Sequence, residues 1–207
     1  IRYAADNGAR IINLSLVHGR GDFAPMRAAI DYALSKGVLV IQAAGNGNID
    51  IATEPEILHL GVMHVAAMDE NDRKAELSSF GAAVDVSAPW HATTTTLNGK
   101  YRSTGGTSCA TPYVAGLAAL LFSHHPTWTN TQVKAITKAT ADDIDSVNPS
   151  YAGKLGAGRI NAYRALTEAV STSLATSVTG SATTHMTSIT SPIPQFSVVG
   201  PPMCLQA

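Results

Sequence analysis

The chain holds 207 residues, with 14 lysines and arginines against 15 aspartates and glutamates, for a net charge of −1. A balance so near zero gives no basic footprint for nucleic acid, so no nucleic-acid partner is expected. The longest apolar run, Val114 to Phe122, is far too short to span a bilayer. Two cysteines, Cys109 and Cys204, exclude a disulfide scaffold or a cysteine-rich zinc site. The first residue is Ile1 and no signal-peptide pattern follows it, which suggests a processed or partial chain.

In chain order, Ile1 to Asn7 reads as the end of a helix with Gly8 as its C-cap. Arg10 to Leu16 is a short apolar strand. Asp22 to Lys36 reads as a helix, with Asp22 at its cap, Pro25 in its first turn and Gly37 past its end. Val38 to Ala44 is apolar throughout, as a buried parallel strand should be. His64 to Ala67 and Val84 to Val86 are further strand candidates. Asn98-Gly99, between Thr93–Leu97 and Lys100–Ser103, signals a hairpin. Ser108 to Phe122 carries no charge and repeats apolar residues at helical spacing, so a buried central helix is predicted. Thr129 and Gln132 form a capping-box pattern before a helix from Asn130 to about Thr140, and Asn161 to Val170 reads as a last amphipathic helix. Strand and helix alternate, which predicts an α/β fold with a mostly parallel sheet flanked by helices.

Glu168 is the last Asp, Glu, Lys or Arg, and between Ser171 and Thr190 12 of 20 residues are Ser or Thr. Prolines 192, 194, 201 and 202 follow. Such a composition buries little apolar surface, so residues 171–207 are expected to form a linker or tail and residues 1–170 the domain. Ser/Thr-rich stretches of this kind are a compositional mark of secreted, glycosylated stalks.

Two segments carry chemistry. Gly105-Gly106-Thr107-Ser108 places a hydroxyl where the uncharged helix opens. Helix N-termini leave N–H groups free to meet a developing oxyanion. On position alone a serine there is more often an N-cap than a nucleophile, and both readings stand at this point. The motif is not the nucleophile elbow, because Ala110 replaces its second glycine. Ala43-Ala44-Gly45-Asn46-Gly47 ends the apolar strand, and ligands bind at the carboxyl ends of such strands. Asn46 can donate its side-chain amide there; taken alone, it also fits an ordinary Asn-Gly turn.

Together these segments resemble the subtilisin-like serine proteases, the subtilases. Gly106-Thr107-Ser108-Cys109-Ala110-Thr111-Pro112, then Tyr113-Val114-Ala115-Gly116, matches the family's nucleophile signature. Asp85-Val86-Ser87-Ala88-Pro89, His125-Pro126 with Trp128-Thr129, and Gly156, Gly158 and Ile160-Asn161 follow in the family's order. The resemblance implies a subtilisin-like fold over residues 1–170 and a serine endopeptidase acting on proteins or peptides. It makes Ser108 the acylated nucleophile and Asn46 the side-chain oxyanion donor. It assigns Ser15, Leu16 and Val17 to one wall of the substrate-binding cleft and Ala43, Ala44 and Gly45 to the other. Thr107 joins the substrate-binding set.

The departures from the family set further expectations. Subtilases place their catalytic histidine roughly 150–160 residues before the serine; here 107 residues precede Ser108. The segments bearing the catalytic Asp and His, and with them the N-terminal part of the sheet, are therefore expected to be absent. The chain is expected to be a fragment, inactive alone. His124 and His125 lie about fifteen helical residues from Ser108, roughly 22 Å away. His18, His59, His64 and His91 lie in no catalytic-histidine context and read as structural or surface residues. The alternative is a degenerate subtilase that binds peptides without cleaving them. Tyr113 replaces the family's histidine after Pro112, and Val17-His18 replace its glycine after Ser-Leu. The resemblance implies that Thr53 to Glu56 forms a loop at the floor of the side-chain pocket, where its acid pair would favour basic residues; solvated surface carboxylates are the other reading. The family also carries structural calcium, for which Asp50, Glu54 and Glu56 are acidic candidates, although catalysis requires no cofactor. Asp69, Asn71 and Asp72 read as a polar turn. Cys109 is expected to be a buried, inert thiol. Secretion is implied by the family and the Ser/Thr-rich segment.

Overall fold

The computed structural model describes residues 1–16, 24–54 and 58–168. The elements run α1 (Arg2–Asp6), β1 (Ile11–Leu14), α2 (Ala24–Ser35), β2 (Leu39–Ala43), β3 (Met63–Met68), β4 (Val86–Pro89), β5 (His91–Thr96), β6 (Lys100–Gly105), α3 (Thr107–His124) and α4 (Asn130–Ala139). A last helix, α5, covers residues 162–168. Strands β1 to β4 form one parallel sheet in sequence order. Its register runs from Ile11 beside Leu39 to Leu14 beside Gln42, then Ile41 beside Met63 to Ala43 beside Val65, then Val65 beside Val86 to Met68 beside Pro89.

Every residue of β2 and β3 is buried, because helices cover both faces of the sheet. Leu39, Ile41, Val65 and Val86 pack against Val114, Leu117, Ala118 and Leu121 of α3. On the other face Ile12, Leu14 and Val40 meet Ala5 of α1 and Ile30 and Ala33 of α2. Strands β5 and β6 form a separate antiparallel hairpin, with Asn98 and Gly99 both at positive φ in its turn. The hairpin is longer than expected, reaching from His91 to Gly105.

Two expectations are corrected. The strand predicted at Val84–Val86 begins only at Val86. The Asp85 carboxylate accepts the His64 backbone N–H at 3.0 Å, taking the position of a ladder carbonyl, and also pairs with Lys134 and Lys138, both at 2.9 Å. The central helix is buried on one side only. Val114, Leu117 and Leu121 are inside, whereas Tyr113, Gly116 and Leu120 are exposed. The capping box at Thr129 forms as predicted, with its side chain accepting the Gln132 N–H and the Gln132 side chain accepting the Thr129 N–H. The proposed boundary at residue 171 lies outside the described residues, as do Val17, His18, Asp22, Glu56 and Cys204.

Candidate active site

The site lies where the loop after β2 meets the start of α3. Gly106, not Ser108, is the N-cap of α3, and Ser108 is the helix's second residue. The reading of Ser108 as an N-cap is thereby removed. Gly106 sits at φ +135°, and a Cβ there would come within 3.2 Å of the Asn46 amide nitrogen. Glycine at this position permits both the backbone angle and the approach of Asn46.

The first-turn N–H groups of α3 are nearly all engaged. Thr107 N–H donates to Asn46 Oδ1 at 2.9 Å, while Cys109 and Ala110 N–H donate to the Gly106 carbonyl. Ser108 N–H is left without a partner among the described residues. The Thr107 hydroxyl also donates to Asn46 Oδ1, at 2.8 Å, and accepts the Gly45 N–H at 3.2 Å. Two donors on one oxygen fix which end of the Asn46 carboxamide is which. The amide nitrogen is then the end left to donate, beside the N-terminus of a helix whose dipole favours negative charge. Ser108 N–H and Asn46 Nδ2 form a pair of donors suited to an oxyanion.

The expected walls fall beside this pair. Strands β1 and β2 are paired as far as Leu14 and Gln42; beyond that point β2 stays with β3, the Ala44 N–H donating to the Val65 carbonyl. The Ser15 hydroxyl donates to the Ser108 carbonyl at 2.8 Å and accepts from the Asn13 amide. Ser15 thus anchors the first turn of α3, a role that spacing alone did not indicate. Leu16 is exposed, and Ala43, Ala44 and Gly45 are buried, so only their backbone is suited to line a cleft. Thr107 is fully buried. Its N–H and hydroxyl are both held by the loop after β2, so it supports the Asn46 carboxamide.

None of the described histidines is tied to Ser108. His59 Nε2 meets Asp31 at 3.1 Å, and His64 lies inside β3 beside the His59 backbone. His91 faces Gly105 in the hairpin register. His124 ends α3, and His125 stacks on Trp128. Burial lowers the His64 pKa from 6.5 to about 4, against the opposing pull of Asp85. His64 is therefore neutral at pH 7 and buried away from the nucleophile.

Of the calcium candidates, Glu56 lies outside the described residues. Asp50 uses Oδ1 to cap a short helical turn at the Ala52 N–H, and among the described residues no three or more His, Cys, Asp or Glu side chains are grouped to hold a metal. Asp69 accepts the N–H groups of Asn71 and Arg73, which makes the segment a polar turn. Cys109 is buried.

A serine at the start of a helix, with a side-chain amide held alongside it at the end of a parallel strand, is the arrangement expected from the two motifs. Residues 1–183 match the subtilase family of peptidases, and the chain belongs to that family. It is 39% identical over 168 residues to thermitase of Thermoactinomyces vulgaris, covering 80% of this chain and 57% of thermitase. It is 37% identical over 166 residues to subtilisin Savinase of Lederbergia lenta, covering 80% and 59%. Among solved structures, a protease of Pseudoalteromonas arctica superimposes with a TM-score of 0.68 at 30% identity, covering 79% of this chain and 52% of that one. The patellamide maturation protease PatA gives 0.68 at 29%, covering 82% and 66%. The chain spans about half the length of the curated relatives it matches. Among the described residues no helix is long and apolar enough to cross a membrane.

Proposed function

We propose that this chain is the nucleophile-bearing part of a secreted subtilisin-like serine endopeptidase. The observation that carries the reading is the Asn46–Thr107–Ser108 arrangement. Ser108 Oγ attacks the scissile carbonyl, and the oxyanion is received by Ser108 N–H and Asn46 Nδ2. The Ser108 proton passes to a histidine beyond the described residues, oriented by an aspartate, and from there to the leaving amine. Water then hydrolyses the acyl-enzyme, with the same histidine as base. The backbone of Ser15–Leu16 and Ala43–Gly45 holds the peptide substrate. Acyl transfer of this kind draws on no cofactor, and any calcium serves stability rather than chemistry.

The fold offers a place for the polypeptide that supplies the base. The outer edge of β1 has no strand beside it among the described residues, and the outer face of α3 carries Tyr113, Gly116 and Leu120 without a charge. A parallel strand and a helix packed there would complete the sheet.

The test is labelling by a fluorophosphonate probe together with peptide hydrolysis. The chain alone should show neither. A longer polypeptide from the same reading frame, with Asp-Ser/Thr-Gly and His-Gly-Thr segments, should show both and lose both on Ser108→Ala. Failure of the longer polypeptide to label at Ser108 sinks the proposal in favour of a peptide-binding subtilase that does not cleave. Rapid labelling of the chain alone would place the base among its own histidines.

A further inference from the structure

The Lys74 ammonium is enclosed by four oxygens. Asn48 Oδ1 and the Ser78 carbonyl lie at 2.8 Å, the Ala75 carbonyl at 3.0 Å and the Glu76 carbonyl at 3.1 Å. The rings of Tyr151 and Phe80 stand 4.8 and 5.7 Å away, within cation–π range. This lysine is only half-buried and touches neither Ser108 nor Asn46. Its partners, however, are the two segments that hold the Asn46 turn from behind.

The turn runs from Gly45 at φ +102° to Asn48 at φ +51°. Asn48 is a non-glycine residue in the left-handed region, which persists only when its surroundings enforce it. Its N–H donates to the Leu77 carbonyl at 3.0 Å, and its side chain accepts from Lys74. The Ser79 N–H donates to the Gly45 carbonyl at 2.9 Å, and the Ser79 hydroxyl accepts the Gly47 N–H at 3.3 Å. The segment 75–79 is thus the rear support of the turn. Three of its carbonyls point at one ammonium, an arrangement that holds only while a cation sits among them.

We propose that Lys74 is a positioning residue for the oxyanion donor: by gathering the 75–79 carbonyls and Asn48 around its ammonium, it sets the turn that presents Asn46. Thr107 fixes the Asn46 carboxamide from the side of α3, and Lys74 fixes the backbone beneath it from the other side. The proposal rests on the assignment of Asn46 as the oxyanion donor.

The test uses Lys74→Met and Asn48→Gly in the active polypeptide, with backbone hydrogen exchange as a second measurement. Misplacing a catalytic group by about 1 Å costs on the order of 10²-fold in rate, so Lys74→Met should lower kcat by about 10- to 10²-fold with KM nearly unchanged. Asn48→Gly keeps the positive φ and deletes the acceptor, and should lower kcat less, in the same sense. In an Asn46→Ala background Lys74→Met should add almost nothing. In the variant, the N–H groups of Asn48 and Ser79 should exchange faster while those of Ile41 and Val114 keep their rates. A kcat loss that adds in full to Asn46→Ala, or uniform acceleration of exchange throughout the fold, overturns the proposal in favour of general stabilisation. If the wild-type polypeptide turns over no peptide, the protease reading fails. The exchange pattern in this chain then decides the positioning claim, which unchanged Asn48 and Ser79 rates would overturn.

Discussion

Asn46 depends on its neighbours more than its place in the sequence suggests. Its donor is free because its acceptor is occupied twice by Thr107. Asn46→Ala should lower kcat by about 10²–10³-fold, the usual cost of losing one oxyanion donor, measured on a peptide ester or amide. Thr107→Val keeps the backbone bond but deletes the hydroxyl, stranding the Gly45 N–H; it should lower kcat by about tenfold, well short of Asn46→Ala. His64 gives a pH prediction. Its folded pKa of about 4 lies below the unfolded 6.5, because burial disfavours the imidazolium. The neutral ring therefore contributes its full stability above pH 6.5, and that contribution falls away as pH drops from 6.5 through 4. The loss over that window is about 3 kcal/mol. His64→Gln should flatten this part of the urea-unfolding profile relative to wild type; an unchanged profile would show that another group governs it. Of these residues, Ser108 and Asn46 were legible from motif. Thr107 and Ser15 were named from the motifs, but their bonding roles, and Lys74 altogether, were not, because these hydrogen bonds reach partners that sequence spacing does not bring together.

At the scale of elements, local chemistry was the most legible. Thr129 and Gln132 cap α4 as their spacing requires, and Thr129→Ala should cost about 1 kcal/mol in denaturant unfolding. The start of α3 was read one residue late, because its N-cap is Gly106, which has no capping side chain to mark it. The start of β4 was misplaced for a tertiary reason. Asp85, with a side chain only 9% exposed, joins β3, β4 and α4 by accepting from His64, Lys134 and Lys138. Lys134 also donates to the Val62 carbonyl. Asp85→Ala leaves two lysines facing a buried corner and should destabilise the fold by about 3–5 kcal/mol. A smaller effect would mean that the lysines escape to solvent.

At the scale of the whole molecule, an incompletely covered surface involves β1 and α3. The edge of β1 has no strand beside it among the described residues, the outer stripe of α3 is uncharged, and Ile11 and Leu120 are not fully covered. An unpaired parallel edge is prone to association. The chain alone should therefore self-associate as its concentration rises, and Leu120→Glu should shift it toward monomer, as read by sedimentation or light scattering. A longer polypeptide that covers this surface should be insensitive to the same substitution.

By itself the sequence determined the α/β class, the order of its strands and helices and the family. Those follow from periodicity, capping residues and a contiguous motif, all of which act over a few residues. Only the tertiary structure decided how the site is held. It bonded Thr107 to Asn46, tied Ser15 to the first turn of α3 and set Lys74 behind the Asn46 turn. Each of these pairs groups that are distant in sequence or held by backbone carbonyls, for which side-chain spacing carries no signal. The same holds for the base. The sequence placed no histidine in a catalytic context, and the fold carries the described histidines into a contact with Asp31, strands and a helix end instead of to Ser108.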